Sequence, residues 1–496
     1  MAIIKTRFNN WNRGLNKDTP RNLIRDNEAV ELNNVVHRSG LWTKRPGYTL
    51  PYSAISDGFN VTEVTDYEEG GAVTLLGGNK DGIYYLNGTT WVNRLNLGTT
   101  RADTDKWFFA EGNGQSWACN GLDSVYVSTD PSSNNYSAIS WDTATVGGSA
   151  GTTVTRARVP LFMNNRVFLL DVTDGVDGSV PFRARYTNAL DYDRTEGSTG
   201  FYDFDDTQSG IISGCVLINN AIAMFKPDMV GIIQNTGNPV LSPALRFQPG
   251  IIGPKAWTYI PNGGVFYVSQ TGFHMFQGGL PEEIGRNKVR KWFFSQLDEQ
   301  YAYNVYCWTN WKEAEVVIHF PTGAGIPDKV LVYNWATGVW STWDYGAWCG
   351  FYRYRQQTAT SILYGGESGN VKLSGGTTDG GSSFSTTLET KAYNELPAKT
   401  ELQPGQAAAI TNVPNYIQVN RVYSDARPVT SVVGVGEADY ATEAPTYNKT
   451  ATLTETDGYQ PVANVDASAT AYMSLRVTGF DTISELIVEW TGAGDV

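Results

Sequence analysis

The sequence predicts an all-β protein: a β-propeller of about six to seven blades with an N-terminal arm and a C-terminal β-sandwich-like extension. Three observations carry this. Hydrophobicity alternates with period two in hairpin-length stretches, and Gly- and Asn-containing turns separate them. The hairpin groups recur every roughly 40–55 residues, the length of a propeller blade. The 496 residues include 52 glycines, 15 tryptophans and 27 tyrosines, the residues of tight turns and pleated, half-buried surfaces.

Residues 1–69 read as an arm. Asp26 is placed to cap a short helix, because Ala29, Leu32 and Val36 fall on one helical face. The segment breaks at Ser39-Gly40 and continues as LWTKRPGYTLP, where Pro46-Gly47 sets a turn.

Residues 70–375 carry the propeller rhythm. GAVTLLGG, DGIYYLNG and TTWVNRL follow one another as strand, turn, strand, with Asp81-Gly82 and Asn87-Gly88 as the turn pairs. Later hairpins turn at Asn164-Asn165, Asn219-Asn220 and Thr271-Gly272, and about seven units fit before residue 375. Between two of them, GRNKVRKWFFSQLD at 285–298 predicts a short helix that packs through Val289, Trp292, Phe293 and Leu297. A Gly/Ser/Thr-rich seam at 376–386 marks a boundary. Residues 376–496 then show fresh strand signals, NYIQVNRVYS, TSVVGVG, TATLTET, AYMSLRVTG and SELIVEW.

Charge is uneven. Residues 1–50 balance at +5, residues 401–496 at −8, and the rest at −10, within a net −13. An acidic body argues against gripping nucleic acid through its phosphates and fits a wall past which DNA slides. No run of about 20 apolar residues is present, so no membrane span is expected. The opening MAIIKTRFNN turns polar at once, unlike a signal peptide, which reads as folding in a cytoplasm. The four cysteines, Cys119, Cys215, Cys307 and Cys349, are far apart and read as buried free thiols.

Catalytic chemistry has little to stand on. The three histidines, His37, His274 and His319, are scattered; no zinc motif, G-x-S-x-G or phosphate loop occurs, and no cofactor or metal site is expected. The carboxylates Asp191, Asp193, Glu196, Asp203, Asp205 and Asp206 cluster in LDYDRTEGSTGFYDFDD. That run reads as a solvated loop first, as hard oxygen ligands for a divalent cation second, and as a glycosidase pair third. Trp308, Trp311, Trp335, Trp340, Trp343 and Trp348 either fill the space between blades or stack on sugars.

The arm NNWNRGLNKDTPRNLIRDNEAVELNNVVHRSGLWTKRPGYT, with Asn34-Val35 and Arg45-Pro46-Gly47, resembles the N-terminus of the tail nozzle, tubular tail or stabilisation proteins of short-tailed bacteriophages. NNRVFLL, INNAIAMFKPD, VFYVSQTGFHMFQGG and VLVYNWATGVWSTWD resemble successive blade motifs of the same family, in the same order. The resemblance implies a non-enzymatic virion protein, assembled in the host cytoplasm. It implies a homohexameric ring below the portal and its adaptor that extends the DNA channel, retains the genome and anchors fibres or a needle. The basic arm then docks on an acidic neighbouring ring, with Arg21, Arg25, Lys44 and Arg45 as the expected contacts. The alternative is a tail propeller that binds or cleaves glycans, a receptor-binding protein or depolymerase.

Overall fold

The computed structural model describes residues 3–391, apart from 10, 22, 39, 70, 99–100, 103–104, 144–151, 194–199, 205–209, 219–220, 235–244 and 354–360. Beyond residue 391 it describes the backbone of strands. The period-two stretches form seven antiparallel sheets, the blades of a propeller. Blade 1 runs Val61–Glu69, Ala72–Asn79, Gly82–Asn87 and Thr90–Asn96. Blade 2 runs Phe108–Gly112, Gln115–Cys119, Tyr126–Ser128 and Ser137–Ala138. Blade 3 runs Val154–Met163, Arg166–Asp174, Gly178–Tyr186 and Gly200–Asp203. Blade 4 runs Gly214–Ile218, Ala221–Phe225, Val230–Gln234 and Leu245–Phe247. Blade 5 runs Trp257–Ile260, Gly264–Val268, Phe273–Phe276 and Glu282–Ile284, and blade 6 runs Tyr306–Asn310, Glu315–Pro321, Pro327–Asn334 and Val339–Asp344.

Blade 7 closes the ring. It supplies Cys349–Arg353, Ser361–Gly365 and Val371–Ser374, and takes its outermost strand, Tyr48–Thr49, from ahead of blade 1. The pairs Leu373↔Thr49 and Ser374↔Tyr48 tie the two ends of the propeller together. The propeller therefore starts earlier than residue 70: Val61–Glu69 is a blade strand and not part of an arm. Its last strand ends at Ser374.

Turn chemistry is local and mostly legible. Asn164 and Asn165 sit at φ 52° and 56° between Met163 and Arg166, the two left-handed residues of a tight hairpin. In blade 1 the turns lie one residue from the expected pairs. Asn79 pairs with Gly82, so Lys80-Asp81 turns; Asn87 pairs with Thr90, so Gly88-Thr89 turns, with Gly88 at φ 62°. At Thr271-Gly272 the loop is 269–272, and Ser269 Oγ accepts from the backbone N–H groups of Thr271 and Gly272. Asn219-Asn220 lies outside the described residues.

The 285–298 segment forms the helix Arg290–Gln296, with Val289, Phe293 and Leu297 buried. Val289 at its N-cap has no side-chain cap bond. Instead the arm residue Asp18 reaches across, and its carboxylate accepts from Lys291 N and Trp292 N at 3.0 and 2.9 Å.

The helix expected after Asp26 does not form. Ala29–Asn33 and Val35–Arg38 are strands, and Asp26 instead pairs with Lys391. The physical reason is burial on both sides. Ala29, Val30, Leu32, Val35 and Val36 are all buried, a pattern a one-faced helix does not give, and the β-branched valines favour extended backbone. Ala29–Asn33 lies between blade 6, through Asn33↔Thr342, and Thr387–Thr390, through Leu32↔Leu388.

This strand links the propeller to the C-terminal chain. Thr387–Thr390 pairs with Tyr472–Thr478, then Ser431–Glu437 and Thr450–Ala451, so blade 6 extends into a nine-stranded sheet. A second, four-stranded sheet contains Ile3–Asn9, Glu485–Gly492, Tyr416–Ser424 and Asn464–Asp466. The expected arm and the expected 376–496 unit are thus not separate: both chain ends contribute strands to both sheets. The C-terminal strands fall where the sequence placed them.

Close packing sets a limit at several blade contacts. Gly350 begins blade 7, and a Cβ there would meet Trp308 Nε1 at 2.2 Å. That nitrogen donates to His319 Nε2 at 3.0 Å. Gly350→Ala is therefore expected to cost about 1–3 kcal/mol by overpacking, read as a lower denaturant midpoint; an unchanged midpoint would contradict this packing.

Candidate functional site

Three features were open to carry function: the basic arm, the propeller axis and the acidic 191–206 segment. The arm residues are placed first. Arg45 is 2 % exposed and lies inside the chain. Its guanidinium donates to both carboxylate oxygens of Asp379 at 2.9 and 2.6 Å, and its Nε donates to Asn34 Oδ1 at 2.9 Å. The same group lies over the Phe384 ring at 3.8 Å. Asn34 stands at φ 57°, a conformation its short side chain tolerates, and that side chain bonds Ser385 O and Asp344 N. A Cβ on Gly47 would sit 2.0 Å from Thr378 O, so only glycine fits there. Arm, blade 6 and the 376–386 seam thus meet on one buried arginine.

This corrects one expected contact. Arg45 is closed off from any neighbouring ring, because its bidentate pair and ring stack use the whole guanidinium. Arg21 pairs with the buried Glu389 at 3.1 Å while remaining partly open, and Lys44 lies over Phe384 at 4.3 Å. Arg25 is exposed.

The axis is filled by charge. Glu63 of blade 1 pairs with Lys255, which leads into blade 5, at 2.9 Å, and accepts from Tyr306 Oη of blade 6 at 3.2 Å. Blades 1 and 5 are not neighbours, so this pair reaches across the centre. Lys106, ahead of blade 2, adds a second nearby positive charge to Glu63 and lies over Trp348. Glu63, Lys106 and Tyr306 are all buried. Burial pushes the Glu63 carboxyl above its ordinary range, against the pull of Lys255. The propeller's own centre is therefore a packed polar plug at this level, not a passage. No sequence signal announces it, since residues 63, 106, 255 and 306 are remote from one another along the chain.

All four cysteines are free and buried, and burial raises their thiols well above reactive range. His274 and His319 lie on strands, and burial pulls them down to about 4 and about 3. Trp308, Trp340, Trp343 and Trp348 are buried between blades, whereas Trp311 is 43 % exposed and stands edge-on to Trp335. Of the acidic run, Asp203 pairs with Arg183 at 2.7 Å, and Asp193 shares a hydrogen bond with Asp191. Glu196, Asp205 and Asp206 lie outside the described residues. Among the described residues no His/Cys/Asp/Glu trio is placed to hold a metal ion, and no helix is long and apolar enough to cross a membrane.

The fold defines a seven-bladed β-propeller that carries a buried polar cluster between blades 1, 5 and 6 and is closed by a strand from ahead of blade 1. No protein-family model and no curated protein matches the chain. Solved structures similar to it include "YCF48 bound to D1 peptide" (10 % identity, 66 % of this chain and 97 % of that one, TM-score 0.40). Others are the WD40 β-propeller domain of Doa1 (10 %, 66 % and 97 %, TM-score 0.39) and BamB from Moraxella catarrhalis (12 %, 68 % and 90 %, TM-score 0.40).

Two tests follow from this geometry. Arg45→Ala leaves the Asp379 carboxylate against the closed junction, an expected loss of about 3 kcal/mol in a denaturant titration. Arg45→Lys should recover little of it, because an ammonium cannot make the bidentate pair. The second test concerns Glu315, a buried blade 6 carboxyl bonded by Asn310 at 2.9 Å and raised to about 7 by burial. Between its unfolded value and 7 the folded chain holds a proton the unfolded chain has released, so its contribution to stability falls as pH rises through that window. Glu315→Gln should therefore gain on the wild type by about 3 kcal/mol between pH 5 and pH 8. Parallel stability curves for the two proteins would refute the assignment.

Proposed function

We propose that this chain is a structural subunit of the tail of a short-tailed bacteriophage, a nozzle or tubular ring protein below the portal and adaptor. The observation that carries the reading is the junction. Asn34 and Arg45-Pro46-Gly47, among the residues on which the family resemblance rests, are the ones that fasten the arm to blade 6, to the 376–386 seam and to the ring-closing strand Tyr48–Thr49. A motif with that duty belongs to the architecture of a family and not to a reactive centre.

The cluster of Glu63, Lys255 and Tyr306 occupies space between non-neighbouring blades, so the DNA lumen of this reading belongs to a ring of several copies, six in the family resemblance. The acidic balance of residues 51–496 suits such a wall, because a negative surface lets a polyanion slide. Arg25, Arg21 and Lys44 remain the arm cations for a neighbouring ring, an attraction that added salt weakens. Fibres or a needle are anchored on the far side of the ring.

Negative-stain electron microscopy of the purified protein, alone and with tail particles, tests this directly. Rings or short tubes with an open centre are expected. A protein that stays monomeric at every concentration and is missing from purified virions would overturn the reading.

A further inference from the structure

A cleft of about 570 Å³ lies where blade 2 meets the 190–193 turn of blade 3. Its rim is polar: Asn113 and Gln115 from one hairpin of blade 2, Ser137 and Ser140 from its outer edge, and Asp191 and Asp193 from the turn. The turn is held at both ends. Leu190 N donates to Asn165 O at 2.9 Å, and Asp142 N donates to Asp193 O at 2.9 Å. The cleft is therefore preformed.

Its base is aromatic. Trp117 is fixed by a bond from its Nε1 to Gln115 Oε1 at 3.2 Å. Tyr192 stands edge-on to Trp117 at 6.4 Å and to Phe162 at 5.6 Å. Tyr192 is 7 % exposed and lines the cleft.

The lining selects a ligand class. Among the described residues it holds two carboxyls, Asp191 and Asp193, and no lysine, arginine or histidine, so these residues repel an anion. It offers amides, hydroxyls and a carboxyl pair, which bond neighbouring hydroxyls of a sugar ring.

We propose that this cleft binds a neutral glycan. The proposal is independent of the tail-ring reading, because it concerns one subunit's surface.

The test uses the full-length protein on an array of neutral oligosaccharides, followed by isothermal titration of the best-retained one. Saturable binding is expected, with a weakening of about tenfold or more in Asn113→Ala and in Asp191→Asn, each losing one strong hydrogen bond. Asn113 is an exposed turn residue at φ 52°, so Asn113→Gly, which accepts that conformation, is measured beside Asn113→Ala and separates a lost contact from a strained turn. Retention of no neutral oligosaccharide, or binding unchanged in both variants, overturns the site. The ring seen or missed by microscopy decides neither outcome.

Discussion

Ring closure is the constraint on which the rest of this structure depends. A single four-stranded sheet leaves two apolar faces in water, and stacking seven around an axis removes them only if the seventh meets the first. Here the meeting depends on two residue pairs, Leu373↔Thr49 and Ser374↔Tyr48. So short a strand pairing is weak alone. It is held by what stands immediately before it: Arg45 gripping Asp379 and Asn34, and Gly47 pressed against Thr378. One buried guanidinium with a full set of acceptors thus fixes the register at which the propeller closes.

The centre of the ring poses the opposite problem. The first strands of the blades converge there, and their side chains face one another from several directions. Glu63, Lys255, Lys106 and Tyr306 fill that space with compensated charge instead of apolar packing. A buried carboxylate facing two ammonium groups adds little net stability over an apolar core. It does penalise any arrangement that strands one of the charges, which favours a single blade order around the axis.

A third consequence concerns the termini. Because Ala29–Asn33 joins blade 6 to Thr387–Thr390, the propeller is continuous with a sheet built from the end of the chain. Ile3–Asn9 likewise adds to Glu485–Gly492. The two ends of the sequence make one body, and the propeller lies inserted between them. Surfaces available for assembly are therefore composite, and neither terminus can be assigned a role without the other.

The sequence by itself determined the blades. Apolar runs such as RVFLL and GVFYV, buried on both faces, and residues at Asn164-Asn165 that accept positive φ, are local physics: a short apolar run between turn residues makes a covered strand, and the turn residue permits the reversal. Only the tertiary structure decided what local patterns leave open. Ala29, Leu32 and Val36 satisfy a helical spacing, yet burial against two partners made them strands. Arg45 looked like a surface cation, yet Asp379, 334 residues away, drew it inside. The Glu63–Lys255 pair and the Asp191–Trp117 cleft exist because the ring brings distant blades together. Such contacts carry no periodicity and no spacing, so closure of the chain on itself is what reveals them.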